Sequence, residues 1–182
     1  ITRDSVSIQK VSLATEVETI LDHQAGLEFY QRDRTWQANV IQHFEFNIHK
    51  MIEICDSNRV PLYLCNPASN IRDCPPFKSA PTSGLDPATI QSIKQTKSDI
   101  PNQLQSRSAK SIRESAHQLT QLDPHNAVTL YQAGLLLLNN GAGSVARDVL
   151  LRAKDEDLCP LRILTVMNEF LVSVPGSPEL QV

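Results

Sequence analysis

The stretch VPLYLCNPASNIRDCPPFKS, residues 60–79, is where the sequence first suggests chemistry. It begins as an apolar run and changes at Asn66 to Asn, Pro, Ser, Arg and Asp. In α/β proteins the loop beyond the carboxyl end of a strand is the usual ligand edge. The polar residues from Asn66 onward therefore lie at the rim of a site or form a stiff turn, and the residues alone leave both readings open.

The motifs of a nucleophilic active site do not occur in the sequence. There is no G-x-S-x-G, no Gly-Asp-Ser and no Asp-x-x-His. The stretch GAGSVA, residues 141–146, resembles a phosphate-binding turn but has no P-loop Lys, so we interpret it as the turn between two helices. Three carboxylates in a row, Asp155, Glu156 and Asp157, are expected to face solvent at the end of a helix.

Metal and cofactor sites are not predicted. The four cysteines contain no C-x-x-C pair, and the five histidines contain no H-E-x-x-H. We expect free thiols, with a disulfide between Cys65 and Cys74 as the open alternative. No cofactor is implied.

Composition places the chain among ordinary globular proteins. The hydrophobic fraction is 41% and the formal net charge is −3. Lys and Arg are scattered, which argues against nucleic-acid binding. The longest apolar run, residues 133–138, is far shorter than the roughly 20 residues of a membrane helix. Because the chain begins with Ile1 and shows no signal-peptide pattern, we interpret it as a piece of a longer protein.

A helix and a strand are expected to position the polar loop. Apolar residues at intervals of three and four predict a long helix over about 35–56. The short apolar run at about 60–66 predicts a buried strand, since Pro61 would disturb a helix. A single strand cannot pair its own backbone groups. It must pair with residues 1–14, with the tail near Leu180, or with a second copy of the chain.

The middle of the chain is expected to be helical but interrupted. Asp86 followed by Pro87 predicts a helix N-cap and first position, with the helix running to about Ser98. The stretch DIPNQ, residues 99–103, is expected to break it. A further helix is predicted from about Leu104 to Leu119.

A repeat-like spacing appears in the last third of the chain. Asp123 and Asp157 lie one repeat length apart, and small residues lie between them at Gly134, Ala146 and Ala153. This pattern resembles a tetratricopeptide (TPR) repeat, in which small residues lie where two antiparallel helices touch. A third helix, at about 161–174, is expected to stack on this pair.

Two stretches of the sequence resemble a known family. They are NPASNIRDCPPFKS and AKDEDLCPLRI, residues 66–79 and 153–163. They resemble the middle of SGNH (GDSL-type) hydrolase-like bacterial proteins in which a TPR-like helical insert interrupts the hydrolase domain. The resemblance runs from about Thr15 to Val174 and is generic across the TPR-like part.

The resemblance implies a flavodoxin-like α/β sandwich and hydrolysis or transfer of ester-linked acyl groups by a Ser-His-Asp mechanism. The blocks that carry that mechanism are missing here, so no catalytic residue is carried over. What the resemblance implies is position: Asn66, Ser69, Asn70 and Arg72 become candidates for the substrate rim. The competing structural interpretation is that Asn and Ser cap the turn while Arg72 pairs with Asp73 or a neighbouring helix. An envelope or exported location is implied by the resemblance alone.

The sequence therefore predicts a mostly α chain with a small β component. Its expected parts are a partial α/β segment (1–80), a TPR-like helical insert (81–174) and a tail returning toward the α/β part (175–182). The first functional hypothesis is an inactive internal segment of an SGNH-like ester hydrolase, partnered by the rest of that hydrolase. The second is a TPR-like module or scaffold that binds a protein or peptide. A homodimer formed by strand or helix pairing is a further possibility.

Overall fold

The chain is mostly helical in its computed structural model, which describes residues 30–106, 109–174 and 180–181. The expectations for residues 1–14 lie outside these ranges. The helices are α1 Arg34–Asn58, α2 Pro87–Ser106, α3 Ala109–Leu122, α4 Ala127–Asn139, α5 Gly143–Asp155 and α6 Thr165–Ser173. Two short strands are β1 Leu62–Tyr63 and β2 Leu180–Gln181.

Helices α2 to α5 pack in chain order around the larger of two apolar cores. The connection between α4 and α5, residues 140–142, is very short, so the two helices run antiparallel, as the sequence predicts. Gly141 in this turn has a φ of 75°, a conformation that favours glycine. The fully buried members of this core are Ala116, Leu119, Leu130, Ala133, Ala146 and Ala153.

Gly134 sets the distance between α4 and α5. A Cβ atom built on it would lie 2.6 Å from Leu150 Cγ and 2.7 Å from Leu150 Cδ2, much closer than van der Waals contact. Leu150 is 3% exposed and has little room to move aside. Gly134 is therefore required for close packing, which was the reason for singling it out in the sequence.

The smaller core joins α1, β1 and α6. Ile48, Leu64, Leu171 and Val174 are buried in it, and Phe44 meets Phe170 edge to face with ring centroids 6.2 Å apart. Helix α1 begins where the Asp33 carboxylate accepts the Trp36 N–H at 2.8 Å. It ends at Arg59, which has a left-handed φ of 55°. The long helix expected at 35–56 thus has nearly the predicted bounds.

The strand expected at 60–66 is shorter and less buried than predicted. Only Leu62 and Tyr63 pair, in parallel with Leu180 and Gln181. Leu64 is buried, whereas Val60 is 50% exposed and Tyr63 is 66% exposed. Of the three partners considered for this strand, the tail near Leu180 is the one seen among the described residues.

Three helix predictions were wrong in their bounds. The helix expected from about Leu104 to Leu119 is α3, Ala109–Leu122, and Leu104 itself lies in α2. Helix α2 continues through the expected break at residues 99–103, with Pro101 inside it. Pro101 itself is exposed, and it removes one backbone N–H donor from the helix. The last helix begins at Thr165 rather than near 161, because residues 156–164 form the connection that follows α5.

Candidate functional site

The candidate site is the rim loop, residues 66–76, which leaves the carboxyl end of β1. Asn70 organises its tightest turn: the Asn70 side-chain oxygen accepts the backbone N–H groups of Arg72 at 3.1 Å and of Asp73 at 2.9 Å. Such self-capping by Asn is typical of turns. Arg72 lies beside Asp73, with Nε and Oδ1 3.6 Å apart, and both side chains are more than two-thirds exposed.

The four rim candidates are thus placed along one exposed loop. Asn66 is exposed and Ser69 is half-buried. Asn70 holds the turn through its side chain, and Arg72 extends into solvent. Asn70 caps the turn and Arg72 lies beside Asp73, as the competing structural interpretation expects. That any of the four residues borders a substrate stays a prediction.

Side chains from α4, from α6 and from the connection between α5 and α6 bind the carbonyl groups of the rim loop. Arg162 donates through Nη1 to the carbonyl oxygens of Asn70 at 3.1 Å and Cys74 at 2.7 Å. The Tyr131 hydroxyl, from α4, donates to the Arg72 carbonyl at 2.5 Å. Asn168, from α6, donates to the Pro67 carbonyl at 3.3 Å. The loop is therefore positioned by three separate parts of the helical region.

Arg162 makes a specific prediction about this loop. Replacing Arg162 by Met removes both donors while keeping an extended apolar stem, so the turn at residues 70–74 should open more often. We expect tryptic cleavage after Arg72 to become several-fold faster, followed by mass spectrometry. Arg147→Met is the control, since Arg147 is exposed on α5. Equal cleavage rates in both variants and the unchanged chain would contradict this role for Arg162.

Asp157 binds the backbone N–H groups of the two residues that follow the rim loop. Its carboxylate accepts from Phe77 N at 2.7 Å, Lys78 N at 2.9 Å and Cys159 N at 3.1 Å. Arg162 Nη2 lies 3.9 Å from the same carboxylate. The expectation that the run Asp155–Asp157 faces solvent was therefore wrong for Asp157, which is 4% exposed.

The other two carboxylates of that run are also engaged. Glu156 receives Arg34 Nη2 at 2.6 Å and lies 3.0 Å from His125 Nδ1, with its side chain only 15% exposed. Asp155 accepts the Thr165 N–H at 2.9 Å and the buried Lys154 ammonium at 2.7 Å. These contacts tie the start of α1 and of α6 to the end of α5.

A cleft of about 1000 Å³ lies between residues 30–40 and residues 155–167. Trp36, Val40 and Met167 give it apolar walls. The charged groups at its edge, Arg34 and Glu156 among them, are already paired with each other. The cleft therefore offers apolar contact rather than a free reactive group.

The cysteines do not supply a reactive group at the cleft either. All four are free thiols, so the alternative disulfide between Cys65 and Cys74 is not formed. Cys159 lines the cleft and is buried, and this desolvation raises the pKa of its thiol above the usual value. A raised pKa keeps the thiol protonated at neutral pH and unreactive.

Neither a metal centre nor a membrane span is found within the described ranges. No three His, Cys, Asp or Glu side chains there are grouped so that they could hold a metal ion. None of the described helices combines the length and the apolar character needed to cross a membrane.

Sequence reasoning missed the residues that hold the rim loop. The regular spacing of Asp123 and Asp157 was a visible signal for Asp157, but it was interpreted only as a repeat period. Arg162 and Tyr131 carried no signal in the sequence, since their partners are carbonyl groups far away along the chain. No family model, curated protein or solved structure matches this chain.

Proposed function

We propose that this chain is an internal segment of an SGNH/GDSL-like esterase or acyl-transfer hydrolase and is itself inactive. In this proposal residues 81–174, which hold α2 to α6, are a TPR-like insert, and α1, β1 and β2 belong to a flavodoxin-like α/β domain completed by other parts of the polypeptide. The catalytic groups lie outside residues 1–182.

One observation carries this proposal more than any other. Strands β1 and β2 pair in parallel, Leu62 with Leu180 and Tyr63 with Gln181, although α2 to α6 separate them along the chain. Neighbouring parallel strands require a long crossover connection, which is usually helical. A helical insert between two adjacent strands of a parallel sheet has this topology.

The position of the rim loop adds support. It leaves the carboxyl end of β1, the edge where open α/β sheets bind their ligands. Its backbone is held by Arg162, Tyr131 and Asn168, so the path of the loop is fixed. Preorganised groups of this kind can orient a substrate without performing the reaction themselves.

The test compares two lengths of the polypeptide. A longer protein that adds the flanking sequence from the same gene should hydrolyse p-nitrophenyl acetate and be labelled on a serine by a fluorophosphonate probe. The chain of residues 1–182 should give neither result above a heat-treated control. An unlabelled, inactive longer protein would remove the hydrolase assignment, and turnover by the short chain would show that the catalytic groups are inside it.

A second candidate function is that of a protein-interaction module or scaffold, and the outer side of α1 favours it. Trp36, Met51 and Ile54 of α1 are 64%, 45% and 61% exposed. Met51 and Ile54 are three positions apart and so lie on one face of the helix, and exposed apolar side chains that lie together mark surfaces that another protein covers.

Trp36 is the only tryptophan in the chain, so its fluorescence distinguishes the two functions. In the hydrolase proposal the flanking sequence covers this side of α1, and the Trp36 emission shifts to shorter wavelength in the longer protein. A module that binds an outside partner keeps Trp36 exposed in both lengths, and any further tryptophan is replaced by Phe for this measurement.

A further inference from the structure

Two aspartates in equivalent places of successive helix pairs have an unusual environment. Asp123 follows α3 and Asp157 follows α5, so each lies just after the second helix of its pair. They are only 2% and 4% exposed. A buried carboxylate is costly unless hydrogen-bond donors surround it, so the identity of the donors is informative.

Both aspartates take backbone donors from the same stretch, the crossing segment, residues 77–82. Asp157 accepts the N–H groups of Phe77 and Lys78, and Asp123 accepts the N–H of Thr82 at 2.9 Å. A return bond runs from Leu158 N to the Lys78 carbonyl at 3.0 Å. Four residue steps separate Lys78 from Thr82 and can span at most about 14 Å. This length is sufficient to cross the distance between neighbouring packed helices, which is on the order of 10 Å.

Two further carbonyl groups of the crossing segment are bound by an arginine that precedes α1. Arg32 donates to the carbonyl oxygens of Ala80 and Pro81, each at 3.1 Å. The helix pairs and the arginine before α1 therefore hold the segment mainly through its main chain.

Two hydroxyl groups add the side-chain part of the recognition. Ser79 Oγ donates to Asn126 Oδ1 at 2.6 Å and accepts the Val128 N–H at 3.1 Å. Thr82 Oγ1 accepts the His125 N–H at 3.1 Å. The first N–H groups of a helix have no acceptor within the helix, and the Ser79 hydroxyl oxygen is the acceptor for the Val128 N–H at the start of α4. Phe77, by contrast, is 46% exposed.

We propose that the helix pairs bind residues 77–82 as an internal peptide ligand. One buried carboxylate per pair, Asp157 and then Asp123, binds its backbone, and Ser79 and Thr82 are the side chains that the site recognises. The ligand class is an extended peptide with hydroxyl residues three positions apart. Because a tethered segment has an effective concentration on the order of millimolar, an outside peptide of this class is excluded from the surface. This inference goes beyond the hydrolase proposal and does not depend on it.

Residue-resolved amide hydrogen exchange by NMR on the full chain tests the proposal. Asp157→Asn replaces one acceptor oxygen with a donor and should lower the protection of the Phe77 and Lys78 amides about tenfold, while the Thr82 amide keeps its protection. Asp123→Asn should do the reverse. Asp148→Asn, on the exposed side of α5, is the matched control and should change neither.

Side-chain variants complete the experiment and remain decisive if an aspartate variant fails to fold. The double variant Phe77→Ala/Lys78→Ala should leave the protection of the three amides within about twofold, whereas Ser79→Ala/Thr82→Val should lower it throughout the segment. Loss of amide protection in Phe77→Ala/Lys78→Ala would show that the side chains of these two residues hold the segment, and it would overturn the proposal. Equal loss at Phe77, Lys78 and Thr82 in both aspartate variants would also overturn it, because it would remove the assignment of one carboxylate to each helix pair.

Discussion

Replacing Asp157 by Ala should lower the free energy of unfolding by about 3–5 kcal/mol. The variant leaves the N–H groups of Phe77, Lys78 and Cys159 without their acceptor. Each buried N–H left unpaired costs about 1–3 kcal/mol, and water entering the vacated space recovers part of that cost. Urea unfolding followed by circular dichroism gives the change.

The control for this variant is Asp148→Ala. Asp148 is exposed on α5, and a surface substitution of this kind changes stability by no more than about 0.5 kcal/mol. A loss below about 1 kcal/mol for Asp157→Ala, less than one unpaired buried N–H should cost, would show that the crossing segment contributes little to the folded state.

Replacing Gly134 by Val should destabilise the chain by about 2 kcal/mol or more, because overpacking a closed core forces side chains and backbone to shift together. The added atoms overlap Leu150, whose Cγ lies 2.6 Å from the position of the new Cβ. Overpacking of this kind typically costs about 1–3 kcal/mol. Thermal and urea unfolding of the same variant measure the effect.

Two further variants separate crowding from helix propensity. Gly143, also in a helix of this pair, has no atom within 4 Å of an added Cβ, so Gly143→Val should cost less than about 0.5 kcal/mol. Leu150→Ala opens space beside Gly134 at its own cost of about 2–5 kcal/mol. The double variant Gly134→Val/Leu150→Ala should lose less stability than the sum of the two single variants. Strict additivity would show that the two residues do not compete for the same space.

Local signals predicted the helical hairpin well. A small residue at Gly134 opposite Leu150, the alanines at 146 and 153, and the turn at 140–142 all indicate two helices in close contact. The helix N-cap predicted at Asp86 is also confirmed. Its carboxylate accepts the N–H groups of Ala88 and Thr89 at the start of α2. Hydrogen bonds from Thr89 lower the pKa of Asp86, as expected for a capping carboxylate.

Predictions failed where a residue's environment comes from distant parts of the chain. The stretch around Pro101 was expected to interrupt a helix, yet α2 continues through this exposed proline. Asp157 was expected in solvent, yet residues 77 and 78, which come far earlier in the chain, cover it. Sequence spacing carries no information about such long-range contacts.

By itself the sequence determined the helical character of the chain, the bounds of α1, the turn between α4 and α5 and the absence of the known nucleophile motifs. These properties follow from local periodicity, capping and residue size, which act over a few positions. Only the tertiary structure decided that β1 pairs with residues 180–181, that Asp123 and Asp157 bind one crossing segment, and that Arg162 holds the rim loop. The physical reason is that the backbone C=O group is the same in every residue, and the N–H group is the same in every residue except proline. A side chain that binds them leaves no pattern in the partner's sequence, and the folded chain alone brings the two together.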